Sequence, residues 1–312
     1  MRSLVLVTGA TGFVGTALLT RLIGERQFEV RAAVRPESGK CRAGVGCVLV
    51  DELAPDTDWE VALNGAKSVV HLSARVHVMR ERAADPLVEF RRVNVAGAMK
   101  LARQAAAAGV VRFVFLSSVK VNGEQGVYTE SAPSAPVDPY GISKSEAEVG
   151  LRQIAAETGM EVVIIRAPLV YGPGVKANFQ ALLHAVARGV PLPLGAIHNR
   201  RSLVALDNLV DFILTCIKHP AAANETFLVS DGEDLSTTDL IRRLARAMGR
   251  PARLLPVPAF VLMAGATMLG KRNVAQRLLE SLQVDISKAR QLLGWVPPIS
   301  VDEGLRRAAA AL

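Results

Sequence analysis

The sequence predicts an α/β protein with a doubly wound parallel sheet and a smaller C-terminal lobe, and three features predict it. Short β-branched runs alternate with longer helical patterns through the first half of the 312-residue chain, the signature of successive βαβ units. Most of these runs are almost continuously apolar, as strands covered on both faces require. A glycine-rich turn, Thr8-Gly9-Ala10-Thr11-Gly12-Phe13-Val14-Gly15, joins the first run to an amphipathic helix over Thr16–Gly24.

Taken in order, the strand runs are Leu4–Val7, Glu29–Val34, Cys47–Val50, Ser68–His71, Val111–Leu116 and Val162–Ile165. Helical patterns occupy Asn94–Ala108 and Pro139–Thr158, the second opened by a proline suited to a first helical turn. After Tyr171-Gly172-Pro173-Gly174 the rhythm changes, because Pro191, Pro193, Pro251, Pro256 and Pro258 break the chain into shorter elements. Residues 1–173, with about 202–226, are therefore expected to form the dinucleotide-binding lobe, and 174–201 with 227–312 the second. The apolar stretch Ala259–Leu269 is too short to span a membrane; it could touch a membrane surface, but a core or lobe-interface helix is the favoured expectation. The run at Leu4–Val7 is likewise too short for the core of a signal peptide, so no segment is expected to be removed.

Half of the residues are hydrophobic, which excludes disorder as the main state. Lys and Arg exceed Asp and Glu by 37 to 29, a surplus compatible with nucleic acid, an acidic membrane or a phosphorylated small molecule. Aromatic residues are few and the basic residues read as spread along the chain, which weighs against nucleic acid. Cys41, Cys47 and Cys216 are odd in number and lack metal spacing. They are read as structural thiols of a reducing, cytoplasmic compartment. His71, His77, His184, His198 and His219 are scattered, so no metal is implied.

The chemistry-bearing residues fall at strand ends. Glycines in the Gly9–Gly15 turn let the backbone approach a pyrophosphate, whose charge sits on the following helix N-terminus. The spacing is G-x-x-G-x-x-G, and a ligand-free βα turn is the alternative. The second strand ends Val34-Arg35-Pro36 with no acid for a ribose diol. Arg35 instead offers a charged fork to a 2′-phosphate, which favours NADP(H) while NAD(H) stays open. Asp51 could face the adenine or cap a turn. Tyr140 and Lys144 stand four residues apart on one helical face. An ammonium there would lower the phenol pKa and make Tyr140 a usable acid or base, with Ser118 holding the substrate oxygen.

These residues carry a resemblance. Thr8–Gly15, His71-Leu72-Ser73-Ala74, Asn94-Val95-Ala96-Gly97, Leu116-Ser117-Ser118 and Tyr140-x-x-x-Lys144 are similar to the extended short-chain dehydrogenase/reductases. The match continues through Arg166, Tyr171–Gly174, Arg201–Asp207 and Leu293-Gly294-Trp295 and spans essentially the whole chain. Within that superfamily the chain resembles the nucleotide-sugar epimerase/dehydratase group, which implies an NAD(P)-binding Rossmann lobe and a UDP-sugar between the lobes. The resemblance gives Ser118, Tyr140 and Lys144 the catalytic roles and makes Asn94 a water-mediated support for the lysine. It assigns the cofactor to Gly9, Thr11, Gly12, Phe13, Val14, Gly15, Arg35, Asp51, Leu72, Ser73, Ala74, Tyr140, Lys144, Ala167 and Pro168. Ser118, Asn178 and Arg201 are its substrate contacts, with Lys176 and Arg272 read as surface residues. A homodimer through the Asn94–Ala108 and Pro139–Thr158 helices is also implied.

Departures from the family pattern narrow the reaction. Sugar-nucleotide 4,6-dehydratases place Asp-Glu after the catalytic hydroxyl, whereas this chain has Val119-Lys120. A 4-keto reductase and a 4-epimerase remain. Arg35 favours the reductase, resembling the UDP-N-acetylquinovosamine dehydrogenase type of O-antigen synthesis, which acts on a UDP-4-keto-6-deoxy-N-acetylhexosamine. The alternative is a UDP-glucose or UDP-N-acetylglucosamine 4-epimerase. A dinucleotide sensor is the remote non-enzyme reading, and it would have no need for Ser118, Tyr140 and Lys144 together.

Overall fold

The computed structural model describes residues 2–38, 42–76, 85–270 and 272–312. The first half runs β1 (Ser3–Thr8), α1 (Phe13–Ile23), β2 (Phe28–Val34), β3 (Gly46–Leu49), α2 (Glu60–Leu63), β4 (Ser68–His71), α3 (Pro86–Phe90) and a π-helical segment, Arg91–Gly97. It continues through α4 (Ala98–Ala107), β5 (Arg112–Ser118), β6 (Gly126–Tyr128), α5 (Pro139–Thr158), β7 (Glu161–Ala167) and β8 (Leu169–Tyr171). The second half contains α6 (Ala177–Ala187), β9 (Arg201–Ala205), α7 (Leu206–Lys218), β10 (Thr226–Leu228), β11 (Asp234–Leu235) and α8 (Thr237–Ala247). It ends with α9 (Ala259–Met268), α10 (Arg272–Leu279), β12 (Leu282–Val284), α11 (Ser287–Leu293) and α12 (Val301–Ala310).

Seven strands form one sheet in the order β10-β7-β5-β4-β1-β2-β3, and every neighbouring pair is parallel. The six strands expected from the sequence are all present, with ends displaced by no more than two residues. The seventh, β10, is only three residues long and takes its place through pairing with β7 rather than through its own pattern. From β1 the chain winds outward to β2 and β3, while β4, β5 and β7 extend the other side. The strand order therefore reverses between β1 and β4, where Thr8 and His71 stand in register at the C-terminal edge. A crevice opens at such a switch point.

Apolar clusters cover both faces. Leu18, Leu22, Phe212, Phe227 and Trp295 pack on one, and Leu63, Leu101, Phe113, Phe115, Leu151 and Ile154 on the other. A smaller lobe adds the sheet β11-β9-β12-β6, with β8 beside β9. Its core is centred on Tyr171, Phe179, Leu183, Leu203, Leu244 and Leu305. The buried Tyr171 hydroxyl donates to Asp231 at 2.7 Å, and Asp231 also accepts from Ala205 N and Asn208 Nδ2.

Two expectations are corrected. α9 does not fill a core or lobe interface, because none of its residues is buried. Of the helix only Leu262 reaches the third apolar cluster. Cys216 is a free, buried thiol, but Cys47 is disulfide-bonded rather than a simple thiol. Cys41 and His77 lie outside the described residues.

One ion pair ties three of these elements together. Glu148 of α5 and Arg166 of β7 are both buried, and their charges meet at 2.6 Å. Glu148 also accepts from Ser117 Oγ of β5 at 2.6 Å and from Arg152 at 3.1 Å. Arg166 reaches Asn122 Oδ1 at 3.2 Å. Removing one partner leaves the other charge buried and uncompensated. Arg166→Ala should therefore lower unfolding free energy by about 3–5 kcal/mol, measured by urea denaturation, and the double change Glu148→Gln/Arg166→Met should lower it by less.

Candidate active site

The site is built from the glycine turn outward. Gly9 has φ +67°, and a Cβ there would lie 2.7 Å from Ser73 N. A Cβ on Gly15 would lie 2.1 Å from Gly9 O, so only glycine lets α1 start against the turn. Gly12 caps α1 with no side-chain acceptor. The first-turn amides are therefore left to an anion, which the helix dipole also favours.

A cavity of about 590 Å³ opens at this edge of the sheet. Gly9, Thr11, Gly12, Phe13, Val14 and Gly15 line it together with Arg35 and Asp51 at the ends of the second and third strand runs. Leu72, Ser73, Ala74, Ala167, Pro168, Ser118, Tyr140 and Lys144 also line it. The size, the glycine cradle and the uncapped helix start fit a dinucleotide.

The two halves of the reactive end are clamped to each other. Asp138 caps α5 by accepting from Gly141 N at 2.7 Å, and its carboxylate pairs with Lys120. Lys120 follows Ser118 in the short turn that Ser118 itself caps, with Lys120 N donating to Ser118 Oγ at 3.3 Å. A Cβ on Gly141 would meet Lys120 O at 2.8 Å, so glycine permits this close approach.

Lys144 is buried; its Nζ donates to Leu116 O at 2.8 Å and lies 4.3 Å from the centre of the Phe115 ring. Burial lowers its pKa to about 7, opposed by the Glu148 carboxylate one turn on. The Tyr140 ring meets Phe90 edge-on at 6.2 Å. Burial, and then the Asp138 carboxylate, push the phenol above its ordinary value. The expected depression by Lys144 is not what dominates in this geometry, because the ammonium is directed to the strand end. His71 is buried, shares a 2.7 Å hydrogen bond with Thr8 Oγ1 and stacks on Phe115. Burial and the Lys144 charge lower its pKa to about 3, so it is a neutral core residue near neutral pH.

Asn94 sits in the π-helical segment and does not line the cavity. Its amide accepts from Arg75 N at 2.8 Å, donates to Arg75 O at 3.0 Å and donates to Ser143 Oγ at 3.0 Å. It thereby fixes the chain after β4 to the residue preceding Lys144. The cavity does not include Asn178 or Arg201. Asn178 is exposed on α6, and Arg201 donates to Glu280 O at 3.1 Å with burial lowering its pKa. Lys176 and Arg272 are exposed. Sequence reasoning missed Glu52, Trp59, Arg75 and Val93 among the lining residues. Trp59 is buried, and its indole Nε1 has no hydrogen-bond partner among the described residues. A rare tryptophan just beyond the third strand was the available signal.

Comparison with known proteins shows what the chain is similar to. Residues 5–230 match the model of the NAD dependent epimerase/dehydratase family. The chain is 47% identical to the UDP-glucose 4-epimerase of Vibrio cholerae over 98% of its own length and 94% of the relative. Its fold is similar to a UDP-glucuronic acid 4-epimerase from Bacillus cereus in complex with NAD, at TM-score 0.79 and 20% identity, covering 99% and 98% of the two chains. A short-chain dehydrogenase/reductase superfamily protein from Agrobacterium tumefaciens with bound NAD matches at TM-score 0.77 and 25% identity, covering 99% and 96%. With its glycine turn, its Tyr140–Lys144 helix and these matches, the chain belongs to the NAD dependent epimerase/dehydratase family.

Proposed function

We propose that the protein interconverts the C4 epimers of a UDP-sugar, UDP-glucose first among them, with NAD held along the Gly9–Gly15 turn. One observation carries the epimerase over the reductase: 47% identity across 98% of the chain to a UDP-glucose 4-epimerase. Dehydration is disfavoured because Val119 is buried and Lys120 is engaged by Glu124 and Asp138. The two positions after Ser118 thus supply no free acid and base.

NAD, when bound, supplies a reversible hydride acceptor. The chain's own part is to position and to move protons. Tyr140 takes the proton of the sugar 4-hydroxyl and returns it to the same oxygen, while Ser118 Oγ hydrogen-bonds that oxygen. Lys144, one helical turn after Tyr140, holds the cofactor ribose. Asn94, through Ser143 and the Arg75 backbone, positions the helix that carries both. A planar 4-ketone can be re-reduced from either face, so inversion requires the sugar to turn within the cleft. Asn178 and Arg201 remain proposed contacts of the sugar nucleotide.

Arg35 favours a second reading, net reduction of a UDP-4-keto sugar with NADPH, because it lines the cavity where the family's NAD users carry an acid. Cofactor content separates the two. The epimerase reading expects protein-bound NAD and interconversion of UDP-glucose and UDP-galactose with no added reductant. Stoichiometric NADPH oxidation by a UDP-4-keto sugar, without epimer interconversion, would replace it with the reductase.

Tyr140→Phe should lower interconversion by about 10²–10⁴-fold while leaving bound NAD and the melting temperature unchanged, measured by product separation and thermal denaturation. Gly15→Ala should abolish NAD retention, read from the nucleotide released on denaturing the purified variant. Burial lowers the Lys144 pKa to about 7 from 10.5. Across that window the unfolded chain binds more protons, so stability rises with pH, and below it the full penalty of the buried charge is present. Lys144→Met should therefore raise the urea midpoint near about pH 6 and flatten its rise between about pH 7 and 10.

A further inference from the structure

The charge surplus has a location. Residues 240–279 contain eight Lys or Arg and no Asp or Glu, and the rest of the chain balances at 29 basic against 29 acidic residues. The even spread read along the sequence conceals this, because the eight are separated by apolar residues.

That same stretch carries α9, AFVLMAGATM, which has no charged side chain and no buried residue. Phe260, Met268 and Leu269 are 76%, 89% and 74% exposed, the highest values for large hydrophobic residues among the described residues. A helix apolar on every side ordinarily lies in a core or in lipid. α9 is outside the core. Its ten residues span about 15 Å, half of a hydrocarbon layer about 30 Å thick, and no described helix is long and apolar enough to cross a membrane. A position within an interface satisfies both limits.

The surrounding charge selects which interface. Arg242 and Arg243 are neutralised by Asp239, Glu233 and Asp302. Arg246, Arg250, Arg253 and Arg272 are exposed and form no ion pair among the described residues. Met248, Leu254 and Leu262 press on one apolar cluster, which holds the arginine-bearing segment and α9 on the same lobe.

We propose that α9 and these arginines dock the protein on an anionic phospholipid bilayer. Phe260, Met268 and Leu269 enter the headgroup boundary, and the arginines pair with lipid phosphates. α10, which follows α9, carries Arg277 3.9 Å from Glu124, one of the two carboxylates paired with Lys120.

The test is flotation of the full-length protein with vesicles of phosphatidylcholine alone or mixed with phosphatidylglycerol. Binding is expected only with phosphatidylglycerol, and it weakens as salt is raised. Arg250→Gln/Arg253→Gln should reduce it by about fivefold per arginine, and Phe260→Asp/Met268→Asp should abolish it while epimer interconversion and melting temperature stay unchanged. Equal binding to phosphatidylcholine, no binding to either vesicle, or binding that survives Phe260→Asp/Met268→Asp would overturn the proposal. So would a wild-type oligomer that Phe260→Asp/Met268→Asp converts to a smaller species when neither binds vesicles, since α9 would then join copies of the chain.

Discussion

The Glu148 carboxylate holds the reactive end of this molecule in register. It is buried on α5 and receives hydrogen bonds from Ser117 at the end of β5 and from Arg166 near the end of β7. Each residue of that network is one step from the chemistry. Lys144 is one helical turn before Glu148, Ser118 follows Ser117, and Ala167-Pro168 follow Arg166. A carboxylate so enclosed is tolerable only because its oxygens are almost fully occupied by donors. The same demand fixes the relative height of a helix and two strands.

A second clamp acts from the other end of α5. Asp138 caps the helix and pairs with Lys120, so the turn after Ser118 and the turn that begins with Tyr140 cannot drift apart. Between the two clamps Lys144 is held in a dry environment that works against its own charge. Burial thus makes the ammonium less favoured than in solvent, and its proximity to Phe115 and Leu116 O supplies partial compensation.

The sheet was legible because both of its faces are covered. Strands such as Leu4–Val7 and Val162–Ile165 must be apolar at successive positions, and that pattern survives in one dimension. The glycine turn and the Tyr140–Lys144 pair were legible because their spacing is short and their backbone demands are strict. β10, β11 and β12 were not, since strands of two or three residues are created by their neighbours rather than by their own periodicity. Trp59 and Arg75 reach the cavity through loops whose paths depend on the assembled sheet. Asn178 and Arg201 were assigned by likeness, and neither lines the cavity. α9 misled for a plain physical reason. Apolar composition predicts that a surface will be covered, but it does not say that the cover comes from the same chain.

The π-helical segment Arg91–Gly97 has a consequence for how this chain can vary. A π turn holds one more residue than an α turn, and it lies directly between α3 and α4. Deleting a single residue there would convert the wide turn to an ordinary one and leave the downstream helix close to its present phase, because a π turn is an α turn with one residue inserted. Leu101, Ala102 and Ala105, now fully enclosed, would still face the sheet. Asn94 would lose its alignment with Ser143. Length variation in this stretch is therefore asymmetric: loss of one residue costs the Asn94 contact but keeps α4 packed on the sheet, whereas one more residue must widen the turn again or rotate α4 by about 100°.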